Sequence, residues 1–423
     1  MDTAADHLSD HLPAGLTLRR FLVSAYGPTL LASLGFGAVI PMLALQAMAL
    51  GTGAGLAAFI AALVGVGQVL GDLPAGILTD RFGERRALAI ACLIDAGLLT
   101  SVFFVHQAGI FAVIVFAHGL TGAVFSLARQ TYLTVVVPLK WRARAMSSLG
   151  GVMRVGYFVG PLVGTLIINA HGIASIFLLA GAMALAAAVA TLVMPDVNVS
   201  RASGRSVPKA PASADGGADG REEVHTWSVL KAHRHTLLTI GWGILALMLI
   251  RTARQVYIPL WCNANGMSDA TANLVYTASM AAEVLLFFPG GVIMDRLGRW
   301  WVTVPTMAVI SLCFAGLPWA HSVLAVSALS VLLGVANGIS SGIVSTLGAD
   351  VSPDVGRPQF LAGWRVFSDI GSFVGPLVVS LVTALASLTA VGWVLAGIGW
   401  IGTLHLGRLL PKRGQLPQSQ PRA

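Results

Sequence analysis

The stretch "GGVIMDRLGRWW", residues 290–301, closes a long apolar run with an abrupt Asp-Arg, a glycine and a further arginine. The same phrase stands earlier as "AGILTDRFGERR", residues 75–86, so Asp80 and Asp295 lie 215 positions apart. That offset also relates "VGPLV" at 159–163 to "VGPLV" at 374–378, Pro138 to Pro353 and Arg142 to Arg357. Coincidences at one offset over so much chain point to a duplicated unit.

The surroundings of the phrase say what is duplicated. Of 423 residues, 56% are hydrophobic and only 10% charged, and the mean hydropathy is +0.80. A soluble domain carries about 25% charged residues. Apolar runs of roughly 20 residues recur from end to end, each long enough to cross a bilayer as a helix. Lipid offers the backbone no hydrogen-bond partner, so a spanning segment is a helix or part of a closed barrel. Alternating ten-residue strands are absent, which leaves helices. The fold class expected is an all-α membrane protein of twelve spans in two six-helix bundles.

The spans fall near 21–47, 54–78, 87–106, 109–137, 146–169 and 172–194, then near 236–261, 269–294, 300–320, 322–349, 361–384 and 386–407. The chain then divides into a tail (1–20), a first bundle (21–194), a linker (195–235), a second bundle (236–407) and a tail (408–423). The linker is rich in Ser, Ala, Gly and charge and reads as flexible; its end, "WSVLKAHRH", is expected as a short helix on the membrane surface. The leader "MDTAADHLSDHLPAG" is acidic where a secretory signal would be basic.

Of 26 Lys and Arg, all but Arg129, Arg154, Arg251, Arg254 and Arg365 fall in the tails, the linker or the loops after even-numbered spans. Positive loops stay cytoplasmic, so both termini and the linker are expected inside. The net charge of +8 is this topology signal and requires no nucleic acid. Cys92, Cys262 and Cys313 show no metal spacing and no disulfide pattern. No metal site and no cofactor is expected.

In the repeated phrase, Gly76 and Gly291 read as points of close helix approach. Asp80 and Asp295 end their helices, Arg81 and Arg296 begin a tight loop that Gly83 and Gly298 permit, and Arg86 and Arg299 follow. A carboxylate at this place can meet the positive N-terminus of a neighbouring helix.

With twelve spans, these residues resemble the signature loop of the major facilitator superfamily and its echo in the second half. Glu84 stands where that family usually has a basic residue. In the fifth span Gly156, Gly160, Pro161 and Gly164 are similar to the glycine-proline motif of drug:proton antiporters, although Ser147 occupies an upstream glycine position. His118 stands where many exporters of the family carry an arginine. The resemblance implies a monomeric secondary transporter of a small-molecule substrate, coupled to protons and embedded in the lipid bilayer. It places signature-loop gating on the residues of the two loops.

Nine ionisable residues lie inside spans: Asp72, Asp95, Arg129, Arg154, Arg251, Arg254, Glu283, Arg365 and Asp369. Each costs about 2.5–3.5 kcal/mol near a helix centre on insertion scales, so mutual pairing is the economical expectation. Asp72 stands ~12 Å and Glu283 ~18 Å from the cytoplasmic ends of their helices, at 1.5 Å per residue. The resemblance packs the second span on the eleventh and the fifth on the eighth, which offers Asp72 with Arg365 and Glu283 with Arg154. Arg365 has the alternative of Asp369, four residues on. The resemblance lines the central cavity with the first, fourth, seventh and tenth spans, hence with Arg251, Arg254, Gln255 and His118. Arg251 and Arg254 either bind an anionic part of a substrate or snorkel to outer headgroups. Arg129 reads as a packing or gate residue, and Asp95 has no assigned role. Glu283, the deepest acid of the second half, is the candidate proton-linked carboxylate.

The leading reading is proton-coupled export by alternating access, in a bacterial inner membrane. Proton-coupled import of a metabolite and a non-transporting receptor or scaffold are the alternatives. No Gly-x-x-x-x-Gly-Lys-Ser/Thr loop supports ATP drive, and no nucleophile elbow or catalytic dyad suggests an enzyme.

Overall fold

The computed structural model describes residues 18–137, 139–193, 226–353 and 355–412, with side chains other than those of 18–25, 73, 80, 134–136, 139–144, 147, 193, 226 and 358. The far ends of both tails and most of the linker lie outside the described residues.

A segment that pairs all its backbone groups internally can enter lipid, and the apolar runs do so as helices. The first bundle holds α1 (Leu18–Val39, continued by a 3-10 turn Ile40–Met42 and Leu43–Ala49), α2 (Ala54–Phe82), α3 (Glu84–Val102), α4 (Ala108–Val136), α5 (Leu139–His171) and α6 (Ser175–Val193). A short helix, Thr226–Ala232, precedes the second bundle. That bundle holds α7 (Arg234–Ala264), α8 (Asp269–Leu297), α9 (Arg299–Gly316), α10 (Val323–Ile339 and Ile343–Val351), α11 (Arg357–Leu385) and α12 (Leu388–Leu409). Eleven spans are long and apolar enough to cross a membrane. The helix outside that set is α3, whose 19 residues include Glu84, Arg85, Arg86 and Asp95.

Six spans return the chain to the side it started from. The linker and the α2–α3 and α8–α9 junctions therefore share one face, here the linker face. The turns α1–α2, α7–α8 and α11–α12 share the far face. On the far face of the second bundle, Ser268, Ser322 and Ser387 each cap a helix by accepting a backbone N–H three residues on. The short helix before α7 packs on the start of α11, where a Cβ at Gly363 would overlap Leu230 and the His233 ring meets Phe360 at 5.9 Å. It rests on protein as well as on any membrane surface.

The 215-residue offset is a packing register, and it reaches one helix pair further than the quoted motifs. A Cβ added at Gly160 of α5 would overlap Leu34 O of α1 and lie 2.8 Å from Ala38 N. At Gly375 of α11 it would lie 2.5 Å from Leu249 O of α7 and 3.0 Å from Ala253 N. Each contact is its counterpart moved by 215. The α2–α4 crossing, with Gly119 against Val64 O, recurs as α8–α10 with Gly334 against Ser279 O. Small residues let helices approach closely where lipid supplies no hydrophobic drive.

The signature junctions are tighter than the sequence suggested. Asp80, Arg81, Asp295 and Arg296 all lie within helices, which run on to Phe82 and Leu297. Each loop is one glycine, Gly83 at φ +79° and Gly298 at φ +92°. Their N–H groups donate to Thr79 O at 2.9 Å and Met294 O at 3.1 Å. Gly76 and Gly291 are not points of close approach: nothing stands within 4 Å of a Cβ built on either.

The bundles meet where α2 packs on α11 and α5 on α8. Among the described residues, the side-chain hydrogen bonds that join them lie in the far half. Asn273 of α8 donates to Pro161 O at 2.7 Å and to Thr165 Oγ1 at 3.2 Å. Ser380 of α11 donates to Gly55 O at 2.8 Å.

Candidate functional site: a central cavity between the bundles

Linker-ward of these contacts, a cavity of about 620 Å³ opens between α1, α5, α7, α8, α10 and α11. Among the described residues its wall carries four arginines, Arg154, Arg251, Arg254 and Arg365, and one acid, Glu283. Gln255 lines it from α7. Among the described residues none of α4 does, which departs from the expected lining.

Glu283 is held within its own bundle. Arg254 of the adjacent α7 donates from Nη2 to Glu283 Oε2 and from Nη1 to Ser279 Oγ at 2.9 Å. Asn337 of α10 adds Nδ2 to the same carboxylate oxygen at 2.7 Å. The expected partner, Arg154, lies elsewhere. Its guanidinium sits 3.9 Å from the centroid of the Phe287 ring, one helical turn beyond Glu283. Spacing gives the depth of a residue but not the side of the helix from which it points, and Arg254 has both depth and direction. Arg251 and Arg254 also fail to snorkel: they are 9% and 3% exposed. Arg251 Nη2 donates to both the carbonyl and the hydroxyl of Ser340, each at 2.6 Å.

A second cavity, of about 350 Å³, holds Asp72, Gln68, Arg365 and Asp369. Among the described residues the ion-pair partner of Arg365 is Asp369, at 3.5 Å, rather than Asp72. The local alternative is the one realised. Gln68 stands 215 positions before Glu283.

His118 belongs to neither space. Its Nδ1 lies 2.6 Å from Asp95 Oδ1, which also accepts from Thr121 Oγ1 at 2.8 Å. This cluster borders a cavity of about 120 Å³ inside the first bundle. The Phe36 ring, 5.4 Å from His118 and 5.7 Å from Tyr157, separates it from the central cavity. Asp95 thereby gains a partner that sequence reading missed; His118 and Thr121, three apart on one helix face, are the signal that could have found it. Arg129 lies buried beside the same small cavity, with its guanidinium 5.3 Å from the Phe125 ring centroid.

The α5 motif is structural glue. Gly156 and Gly160 admit α1, and a Cβ at Gly164 would lie 2.6 Å from Ile176 Cδ1 and 3.3 Å from Asn273 Nδ2. Pro161 supplies the carbonyl that Asn273 reaches across the bundle interface.

At the linker face the two signature loops differ. Arg299 forks onto Asp350 at the end of α10, Nε to Oδ2 at 2.7 Å and Nη2 to Oδ1 at 3.4 Å, and lies 3.9 Å from Asp295. Glu84 occupies the position related to Arg299 by the repeat, so this fork has no counterpart. In the first bundle Arg85 instead donates to the carbonyls of Thr191 and Leu192 at the end of α6. Arg81, Arg86 and Arg296 are exposed, and the Asp80 side chain lies outside the described residues. Among the described residues no group of three His, Cys, Asp or Glu could hold a metal ion.

Two pseudo-symmetric helical bundles around a central cavity lined by charged and apolar side chains define a class of transmembrane carrier. The family model of the Major Facilitator Superfamily matches residues 29–263 and 243–422, and the chain belongs to that superfamily. It is 23% identical over 312 residues to an uncharacterized MFS-type transporter, YhjO, of Bacillus subtilis, covering 73% of each chain. It is 27% identical over 168 residues to the multidrug resistance protein MdtG of Salmonella arizonae, covering 39% of this chain and 42% of that one. Among solved structures its fold is similar to that of a D-xylose-proton symporter, with TM-score 0.71 and 16% identity over 92% of this chain and 98% of the other. It is also similar to a POT family transporter in complex with 5-aminolevulinic acid, with TM-score 0.72 and 12% identity over 95% and 99%. The chain is a multi-pass membrane transporter.

Proposed function

We propose that this transporter is proton-coupled, carries a small organic molecule by alternating access, and uses Glu283 as the group that takes up and gives up the proton. One observation carries the reading: the acid lies in the wall of the central cavity, between Arg254 and Asn337. A carboxylate with a replaceable cationic partner can exist in two charge states, and access from one side or the other biases which is populated. Bundles hydrogen-bonded across their far half suit one of two such states. With the linker and termini cytoplasmic, in a bacterial inner membrane, the cavity faces inward. The carrier works as a monomer, and the signature loops act as its gate.

Export by proton antiport is supported by the α5 motif and by the name of the MdtG relatives. Import has an observation of its own, the excess of positive over negative side chains in the cavity wall. Inverted membrane vesicles and proteoliposomes with a fluorescent proton reporter test the proposal. Glu283→Gln is expected to abolish proton-driven flux while substrate binding or exchange persists. Uphill transport by that variant with ordinary pH dependence would exclude Glu283.

A further inference from the structure

The charges in the central cavity do not balance. Glu283 neutralises Arg254, and Asp369 stands beside Arg365. Among the described residues Arg251 and Arg154 make their direct contacts with uncharged groups, Ser340 for the first and the Phe287 ring for the second, and share the field of Glu283, which Arg254 already pairs. A guanidinium stays protonated in proteins, and a buried charge without a counter-charge is costly. The wall is also rich in donors: among the described residues the Nε groups of Arg154, Arg251 and Arg254 have no acceptor. Around these cations stand flat or pliable apolar side chains, Phe36, Tyr157, Tyr276, Trp364 and Met280.

We propose that the substrate is an amphipathic organic anion, its charged head held by Arg154 and Arg251 and its apolar body laid among the rings. The inference rests on the central cavity being the transport site. A guanidinium presents a planar fork suited to carboxylate, phosphonate or sulfonate oxygens. One head set between arginines of α5 and α7 also links the two bundles, so its arrival bears on their relative position.

The same geometry sets the sense of coupling. Ionised Glu283 and a bound anion repel each other and compete for Arg254. Protonating Glu283 removes the repulsion and frees Arg254. The groups facing the acid agree: Arg251 and Arg254 from α7, Arg154 and Tyr157 from α5, Tyr276 from its own helix and Arg365 from α11. Among the described residues of the cavity wall, α10 adds neutral side chains such as Asn337 and Ser341, and α1 adds Phe36, Gly37 and Ile40. Proton and anion thus favour each other's binding, and by linkage the effect is mutual. That is the relation of co-transport, and it favours the import reading over antiport.

The test uses the purified full chain in lipid nanodiscs, with binding read by tryptophan quenching. The probes are benzoate, 1-naphthoate and 1-pyrenebutyrate, each beside the amine and the alcohol of the same ring system. At least one carboxylate is expected to bind saturably and more tightly than its amine or alcohol. Arg154→Gln and Arg251→Gln should each weaken that binding about tenfold or more, as loss of a charged hydrogen bond does, with Arg154→Lys recovering most of it. Glu283→Gln, which removes the competing negative charge, should bind that carboxylate severalfold more tightly than the parent. An amine bound as tightly as its carboxylate, no carboxylate bound, or unchanged binding by the Arg154→Gln/Arg251→Gln double variant would overturn the anion. Carboxylate binding that ignores Glu283→Gln would instead refute the coupling. Proton-driven flux that persists without carboxylate binding would leave the proton site standing and this inference refuted.

Discussion

Arg254 reaches from α7 to the carboxylate of Glu283 on α8, so the acid and its cation belong to the same bundle. The pair therefore need not part when the bundles rock. What changes over the cycle is the water and ligand around it, which either solvate the carboxylate or leave Arg254 as its chief stabiliser.

Removing one member of such a pair strands the other. Breaking a fully buried pair costs about 3–5 kcal/mol. Because Glu283 lines an open cavity, a smaller loss of about 1–3 kcal/mol is expected for Arg254→Gln. The double variant Arg254→Gln/Glu283→Gln should unfold at a higher temperature than Arg254→Gln alone. Thermal unfolding in detergent, followed by tryptophan fluorescence, checks the order, and a double variant less stable than both singles contradicts it.

Glycines with opposite surroundings should respond with opposite sign. Gly160→Ala and Gly375→Ala push a methyl group into the backbone of α1 or α7 and should cost about 1–3 kcal/mol, as overpacking does. Gly76→Ala and Gly291→Ala meet open space and should be neutral or stabilising by up to ~1 kcal/mol through helix propensity. Melting temperatures of the four variants, measured side by side, decide this.

The single-glycine junctions are strained for any other residue. Gly83 has φ, ψ of 79°, 158° and Gly298 of 92°, 168°, a region only glycine occupies readily at no cost of about 1–3 kcal/mol. Gly298→Ala should lose stability in that range. The exposed Arg296→Ala, two residues away, should lose under about 0.5 kcal/mol. Equal losses for the two would remove the backbone argument.

Closure of the far face hangs partly on Asn273, which is fully buried with both its N–H contacts in the other bundle. Asn273→Ala removes about 1 kcal/mol from that side, near fivefold in a two-state ratio. A cysteine replacing Gln255 should then react faster with a far-side thiol reagent. An unchanged rate would mean the contact does not bias the two states.

Orientation has a direct check. A cysteine at Gly266, in the α7–α8 turn, should label only from outside the cell, and one at Lys412, after α12, only from the cytoplasm. The native Cys92, Cys262 and Cys313 are buried and contribute little background. Labelling of position 266 from the cytoplasm would invert the topology.

Much of the architecture was legible because helices in lipid leave plain marks in sequence. Apolar length gave the spans, and the motif at 290–301 with its earlier copy gave the two bundles. The "VGPLV" pair marked the very turns at which α5 and α11 cross α1 and α7. The errors share a cause. Depth along a helix follows from counting, whereas azimuth follows from packing that only tertiary structure supplies. Glu283 and Arg154 were matched by depth, yet Arg254, 29 residues upstream of Glu283, points the right way. His118 was placed in the main cavity by analogy of helix number, while the Phe36 ring closes it off. Gly76 reads as a packing glycine because glycine in a membrane helix often is one, yet its side of α2 has no close neighbour.

The repeat sets Gln68 where the second bundle has Glu283. An amide neither gains nor loses a proton under physiological conditions, so at this register the duplicated scaffold carries one titratable group, not two. Shape was inherited by both halves and ionic bookkeeping by only one. On the proposed role of Glu283, the stoichiometry of coupling is then one proton per turnover at this position, set by a single side-chain difference between otherwise matching helices, and a twofold architecture runs an unpaired protonation step.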